Sequence, residues 1–263
     1  MSKKMMGLGA MTDQALRLTR SSIKPLVPVL FVYMLISVVM GQWVMPQLKP
    51  GHIQPVLFSL YLFLLFFICS ASLLVFSIQK SIHTGQRIRP YLLLQQYRSQ
   101  VFGFVVFYVL SFLACLGAVC IGLSMRGVIG DGAALLVVVA SVLFAVSRLI
   151  MAMPSLSEGE GVRAAIRQGW QLSQGRVMYV LMALVVMVLV LMAILGVFSI
   201  AQTVLLLAVY GVNDLAQAKS LPVIEYLAGL VLLVAIPFMH AYILSLWYEL
   251  KRDKFAKALQ TST

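Results

Sequence analysis

Histidine, cysteine and carboxylate side chains hold metals, relay protons and attack substrates, and this chain of 263 residues has few of them: three His, three Cys and eight Asp plus Glu. His52, His83 and His240 are scattered, with no HExxH and no second ligand at metal spacing. The GLGA at 7–10 lacks the strand and further glycines of a nucleotide-binding turn. No acid lies at the centre of an apolar run, so paired carboxylates for proton transfer are missing. Cys69, Cys115 and Cys120 fall inside apolar runs, with neither zinc spacing nor an extracellular framework, and read as small buried apolar residues. The expectation is a protein that is not an enzyme and uses no metal or cofactor.

Two ionisable residues do sit inside apolar runs, Arg148 and His240, and an intramembrane charge is a functional hypothesis by default because its burial is costly. Arg148 is near the end of its run, where its head can snorkel to the interface or pair with Glu249 from the last run. His240 reads as a neutral imidazole bonded to a nearby carbonyl or hydroxyl, with Pro237 one helical turn before it and a carbonyl freed there. If both residues lined a path, the chain would be a transporter of a small molecule or lipid.

These residues are carried by a chain that is 62% hydrophobic and 11% charged, with mean hydropathy +1.00. A soluble domain cannot hide that much apolar surface in one core. A helical span needs about 20 apolar residues, and six stretches qualify: roughly 25–45, 56–79, 101–123, 132–153, 177–198 and 223–248. The expected fold is therefore all-α, a polytopic transmembrane bundle forming a single domain over 1–263. The first stretch is span-length without a small-x-small cleavage site, so it is expected to be retained. The fifth apolar run continues to Tyr210; Gly196, Ser199, Gln202 and Thr203 predict that it leaves the bundle near 198 and lies along the outer surface.

The net charge of +12 would fit nucleic acid, but its distribution does not. Sixteen of the 20 Lys and Arg fall on alternate loops and the two ends; Lys49, Arg126 and Lys219 hold the opposite loops. That asymmetry predicts that both termini are cytoplasmic, consistent with an even number of spans. The partners it implies are the bilayer and its anionic phospholipid headgroups, with an unidentified membrane or cytoplasmic protein as a further one.

The longest stretch that burial in lipid does not explain is Ser157–Arg176. At 100° per residue Val162, Ala165, Ile166, Gly169, Leu172 and Ser173 share one face, with Trp170 at its edge. Arg163, Arg167, Gln168, Gln171 and Gln174 occupy the other. Ser157 and Glu160 have capping-box spacing and Gly175 can end the helix. The pattern predicts a helix lying in the membrane interface, or one packed on a cytoplasmic protein. Leu16, Leu94 and Leu172 are 78 residues apart, as are Arg20, Arg98 and Arg176. That echo predicts three copies of one unit, an amphipathic helix followed by a transmembrane hairpin, over about 1–78, 79–156 and 157–250, with a basic tail over 251–263. Arg20, Arg98, Arg163, Arg167, Trp170 and Arg176 are the candidate headgroup contacts, and Arg148, His240 and Glu249 the candidate intramembrane polar residues.

Two segments carry a family likeness. EGEGVRAAIRQGWQLSQGR (158–176) resembles a pattern in which a Glu-Gly pair precedes an Ala-rich helix ending W-x-L-[ST]-x-G-[RK]. WYELKR (247–252) is similar to the aromatic-aromatic-acid-Leu-basic-basic close of the same group. That group comprises the bacterial YciC-like proteins and the membrane domains attached to some glycerophosphodiester phosphodiesterases. The chain departs from it in having Gly169 where Ser is expected and Glu249 where Asp is commoner. The resemblance implies a six-span membrane fold without a defined reaction. The soluble barrel of the phosphodiesterase members would need about 250 residues, for which this chain has no stretch. The implied role is therefore a scaffold or accessory in envelope or lipid homeostasis.

Overall fold

A computed structural model describes residues 5–39, 54–85, 90–210 and 222–261. Lys3, Lys4, Lys49, His52, Arg87, Arg89 and Lys219 lie outside the described residues, and so does the side chain of Arg98. Every regular element among the described residues is a helix: α1 (Leu8–Val39), α2 (Gln54–Thr84), α3 (Pro90–Ile129), α4 (Asp131–Leu149), α5 (Ala152–Ser157), α6 (Val162–Ser173), α7 (Val177–Tyr210) and α8 (Pro222–Thr261). Four stretches among the described residues are long and apolar enough to cross a membrane: Gln100–Gly127, Asp131–Ser157, Val177–Ala208 and Leu233–Ala256. They have the length and composition that an integral membrane protein requires. Of the other two expected spans, 25–45 falls on α1 as far as Val39, with 40–45 outside the described residues, and 56–79 falls on α2.

The four stretches play unequal parts. In Leu233–Ala256 72% of the most apolar window is buried, against 11% in Gln100–Gly127 and 22% in each of the other two. Helix α8 is thus the centre of the bundle, and α3, α4 and α7 present apolar side chains outward, among them Phe112, Leu136 and Leu189. Such a surface is stable against acyl chains and not against water. Phe238, Tyr242 and Trp247 of α8 are fully buried and pack with Met11, Phe76, Phe104, Leu156 and Leu172 from the helices around them. Cys69 joins this core, as expected of a small apolar residue, whereas Cys120 is exposed on the outer side of α3.

The chain departs from the sequence expectations at its helix ends. α1 runs unbroken through Pro25 and Pro28, and α3 carries both the Leu94–Arg98 segment and the following span. A separate leading helix exists only in the third case, because only there does glycine stand between helix and span: Gly175 has φ +73, a conformation that L side chains avoid. The positions 78 and 156 residues earlier are Tyr97 and Thr19, both within helices. The echoed leucines also differ in environment, Leu16 being 44% exposed and Leu172 buried. α7 does not leave the bundle at 198 by breaking; it is one helix to Tyr210. Its polar residues bond along their own helix, Thr203 Oγ1 donating to Ser199 O at 2.9 Å, so nothing forces a turn. At about 1.5 Å per residue it exceeds the bilayer core and must tilt.

α3 and α4 form a hairpin closed by Gly130 alone, at φ +81, with Arg126 Nη2 donating to Asp131 at 3.0 Å across it. Left-handed backbone costs other residues about 1–2 kcal/mol. Gly130→Ala is expected to lower the melting temperature of the detergent-solubilised protein, and an unchanged melt would show that this turn is not constrained.

Candidate functional site

The polar segment after α5 and the closing motif of α8 meet at one end of the bundle, and the site begins with a backbone contact. A Cβ on Gly169 of α6 would lie 2.8 Å from Ala152 N and 3.1 Å from both Arg148 O and Met151 C. These are main-chain atoms and cannot swing away. Helix α6 therefore approaches the α4–α5 junction closer than any residue but glycine allows. Ala165, Leu172 and Ser173 of the same face are buried, so the apolar face expected to lie on the bilayer is turned into the protein. Arg163 and Arg167 stand exposed on the opposite face, and Trp170 at the edge is 48% exposed.

This approach gives Arg148 a partner. Its Nη1 donates to Trp170 O and to Ser173 Oγ, each at 3.0 Å, and Ser173 Oγ in turn donates to Gly169 O at 2.8 Å. The guanidinium lies 4.7 Å from the Trp170 ring centroid and 5.1 Å from that of Phe144. A buried cation thus caps the C-terminal turn of α6, where unpaired carbonyls and the helix dipole both favour positive charge. The expected pairing with Glu249 does not occur. Arg148 is held by the carbonyl end of the neighbouring helix, while Glu249 accepts the Met6 N–H at 2.8 Å and pairs with Arg252 at 2.7 Å.

The start of α6 also differs from the capping-box expectation. Ser157 belongs to α5 and donates to Pro154 O, and Gly161 precedes α6 without a side-chain cap. Glu160 instead accepts from Gln168 Nε2 at 3.1 Å, while Gln168 Oε1 accepts from Ser155 Oγ. Ser155 Oγ also accepts from Trp247 Nε1 at 3.2 Å. Glu158 receives Lys80 of α2 at 3.2 Å and Lys251 of α8 at 3.4 Å. Lys251 lies 4.2 Å over the Trp247 ring, and Tyr248 stacks on His83 with centroids 4.4 Å apart. Arg176, at the start of α7, pairs with Asp253 at 3.2 Å, and Tyr179 donates to Met6 O at 2.9 Å. Lys80, Arg176, Lys251 and Arg252, four of the basic residues that the sequence places on alternate loops and at the end of the chain, are thus drawn together with the start of α1.

His240 is 2% exposed and lies deeper in α8. Its Nδ1 is 2.8 Å from Ile236 O, which can only accept, so Nδ1 carries the proton, and Nε2 is a buried acceptor without a protein partner. Phe76 meets the imidazole edge-on at 4.6 Å. The carbonyl at Pro237 is taken by Gln79 Nε2 of α2 at 2.7 Å, which also reaches Ser22 Oγ of α1 at 3.4 Å. Sequence reasoning missed Gln79, whose only signal was an amide one residue before Lys80 at the end of an apolar run.

No protein-family profile, curated protein or solved structure matches this chain. The chemistry of the junction therefore rests on geometry alone. Among the described residues no group of three His, Cys, Asp or Glu side chains could hold a metal ion. Of the candidates, Arg148, Glu249 and Arg176 enter the junction, Trp170 flanks it, Arg163 and Arg167 face away from it, Arg20 is exposed on α1, and His240 lies apart. What the arrangement does is fasten α1, α2, α4, α5, α6, α7 and α8 at one end. Overpacking costs about 1–3 kcal/mol, so Gly169→Ser is expected to destabilise the protein by that amount in a thermal or denaturant melt. Arg148→Met removes the charged donor to Trp170 O and Ser173 Oγ, and hydrogen bonds to charged groups contribute about 1.5–3 kcal/mol. A wild-type melt for either variant would show that the Gly169 contact or the Arg148 cap carries no such role.

Proposed function

We propose that the chain is a bacterial inner-membrane protein of the YciC-like group, six spans with both termini cytoplasmic, acting without catalysis as a scaffold or accessory in envelope or lipid homeostasis. The observation that carries this reading is that the distinctive polar side chains are engaged with one another. Trp247, Glu158, Lys251, Gln168 and Arg148 bond across helices, which suits side chains that hold the bundle together. The start of α1 lies against the C-terminal part of α8, which supports termini on one side. The exposed Arg163 and Arg167, on the same helix as the half-exposed Trp170, offer a basic face suited to anionic headgroups. The three 78-residue units are part of this reading, the third alone keeping its amphipathic helix separate.

A transport reading has one observation in its favour: Gln79 Oε1 and His240 Nε2 are among several buried polar atoms without a protein partner. His240→Leu separates the two, since it replaces an unpaired buried nitrogen with an apolar group of similar size. In a strain lacking the protein, His240→Leu is expected to restore envelope permeability and lipid composition as well as wild type does. Loss of complementation at wild-type membrane levels would overturn the scaffold in favour of a path. Reporters that fluoresce only in the cytoplasm should be bright on either terminus; a dark fusion at one end would refute the topology.

A further inference from the structure

We propose that the groove between α6 and the last turns of α8 binds the phosphate of an anionic glycerophospholipid, an inference that rests on the membrane reading above. The groove, about 260 Å³, is lined by Gln168, Gln171, Leu172, Lys251, Lys254 and Phe255. Its size is below the roughly 300–1,000 Å³ of a whole-ligand pocket, which suits a headgroup whose chains continue into the bilayer.

The groove carries its lysines among acids that are mostly offset by cations. Glu158 is shared by Lys80 and Lys251, Glu249 is paired with Arg252, Asp253 with Arg176, and Glu160 accepts from Gln168. Lys254 is exposed and has no acidic partner among the described residues, and the exposed Gln171 amide has no hydrogen-bond partner among them. Lys251 keeps donors beyond the one it gives Glu158. Lys251, Lys254 and Gln171 thus line one opening, and two ammonium groups with an amide are donors of the kind a phosphodiester takes.

The apolar part selects a lipid over a free anion. Phe255 is 63% exposed beside the buried Leu172, on a stretch of α8 otherwise rich in charge. A soluble phosphate would leave that ring in water, whereas the glycerol and first methylenes of a lipid cover it. A zwitterionic headgroup would bring its own ammonium toward the lysines and bind less well.

The test uses the full chain. The wild type is first reconstituted into liposomes and floated; failure to float would overturn the membrane reading itself. In detergent, native mass spectrometry then follows binding of phosphatidylglycerol and phosphatidylcholine. The wild type is expected to prefer phosphatidylglycerol. A basic residue near the surface contributes roughly 1 kcal/mol, so Lys254→Ala should weaken that binding about fivefold. Lys254→Arg should restore it, and Arg17→Ala, which removes equal charge from the exposed side of α1, should leave it unchanged. A floating protein without lipid preference, or an equal loss in Arg17→Ala, would overturn the groove. Displacement of the lipid by millimolar glycerol phosphate would show that the site takes a free anion, and would overturn the lipid assignment.

Discussion

The rest of the basic end depends on one close backbone approach, that of Gly169 to the α4–α5 junction. With main chain against main chain, the C-terminal carbonyls of α6 come within reach of Arg148, and the charge that its apolar helix could not otherwise carry is neutralised by a helix end. The same approach turns Gln168 toward Ser155, which links α6 to Trp247 at the centre. A serine at 169 would push these elements apart. The departure from the resembled pattern at this position is therefore a packing requirement of this chain.

A second constraint is that a membrane protein has no solvent among its spans to satisfy polar groups, so each must find an internal partner or sit at an end. Here many of the polar groups gather at the end where α1 starts and α2 and α8 carry their C-terminal charges, Gln79 and His240 lie deeper, and the apolar faces of α3, α4 and α7 are left uncovered. α8 resolves the conflict between a buried helix and a charged one. Its inner stretch is enclosed on most sides, while Lys251, Arg252 and Asp253 each find an opposite charge contributed by the chain.

Much of this was legible in the sequence where the signal was local. The two faces of α6 follow from the 100° periodicity, and Gly175 from its place after the last periodic residue. The capping box failed because Ser157 lies inside a preceding helical turn, which no spacing rule reveals. The equal spacing of Leu16, Leu94 and Leu172 did not carry equal environments, since burial depends on what packs alongside and α6 alone is folded back by a glycine. The Arg148–Glu249 expectation failed for a related reason: two opposite charges on neighbouring apolar runs invite pairing, but carbonyls at a helix end are acceptors that residue types do not advertise.

By itself the sequence determined the all-helical membrane character, because hydropathy and length are summed properties of each segment and need no partner. It also marked Lys80, Arg176, Lys251 and Arg252 as belonging to alternate loops and the basic tail, and these four meet at one end. Only the tertiary structure decided which helix lies at the centre, which face of α6 is buried, and which groups hold Arg148 and Trp247. Those outcomes rest on distances of about 3 Å between residues that are far apart in the chain, and a hydrogen bond of that length is settled by packing, not by composition.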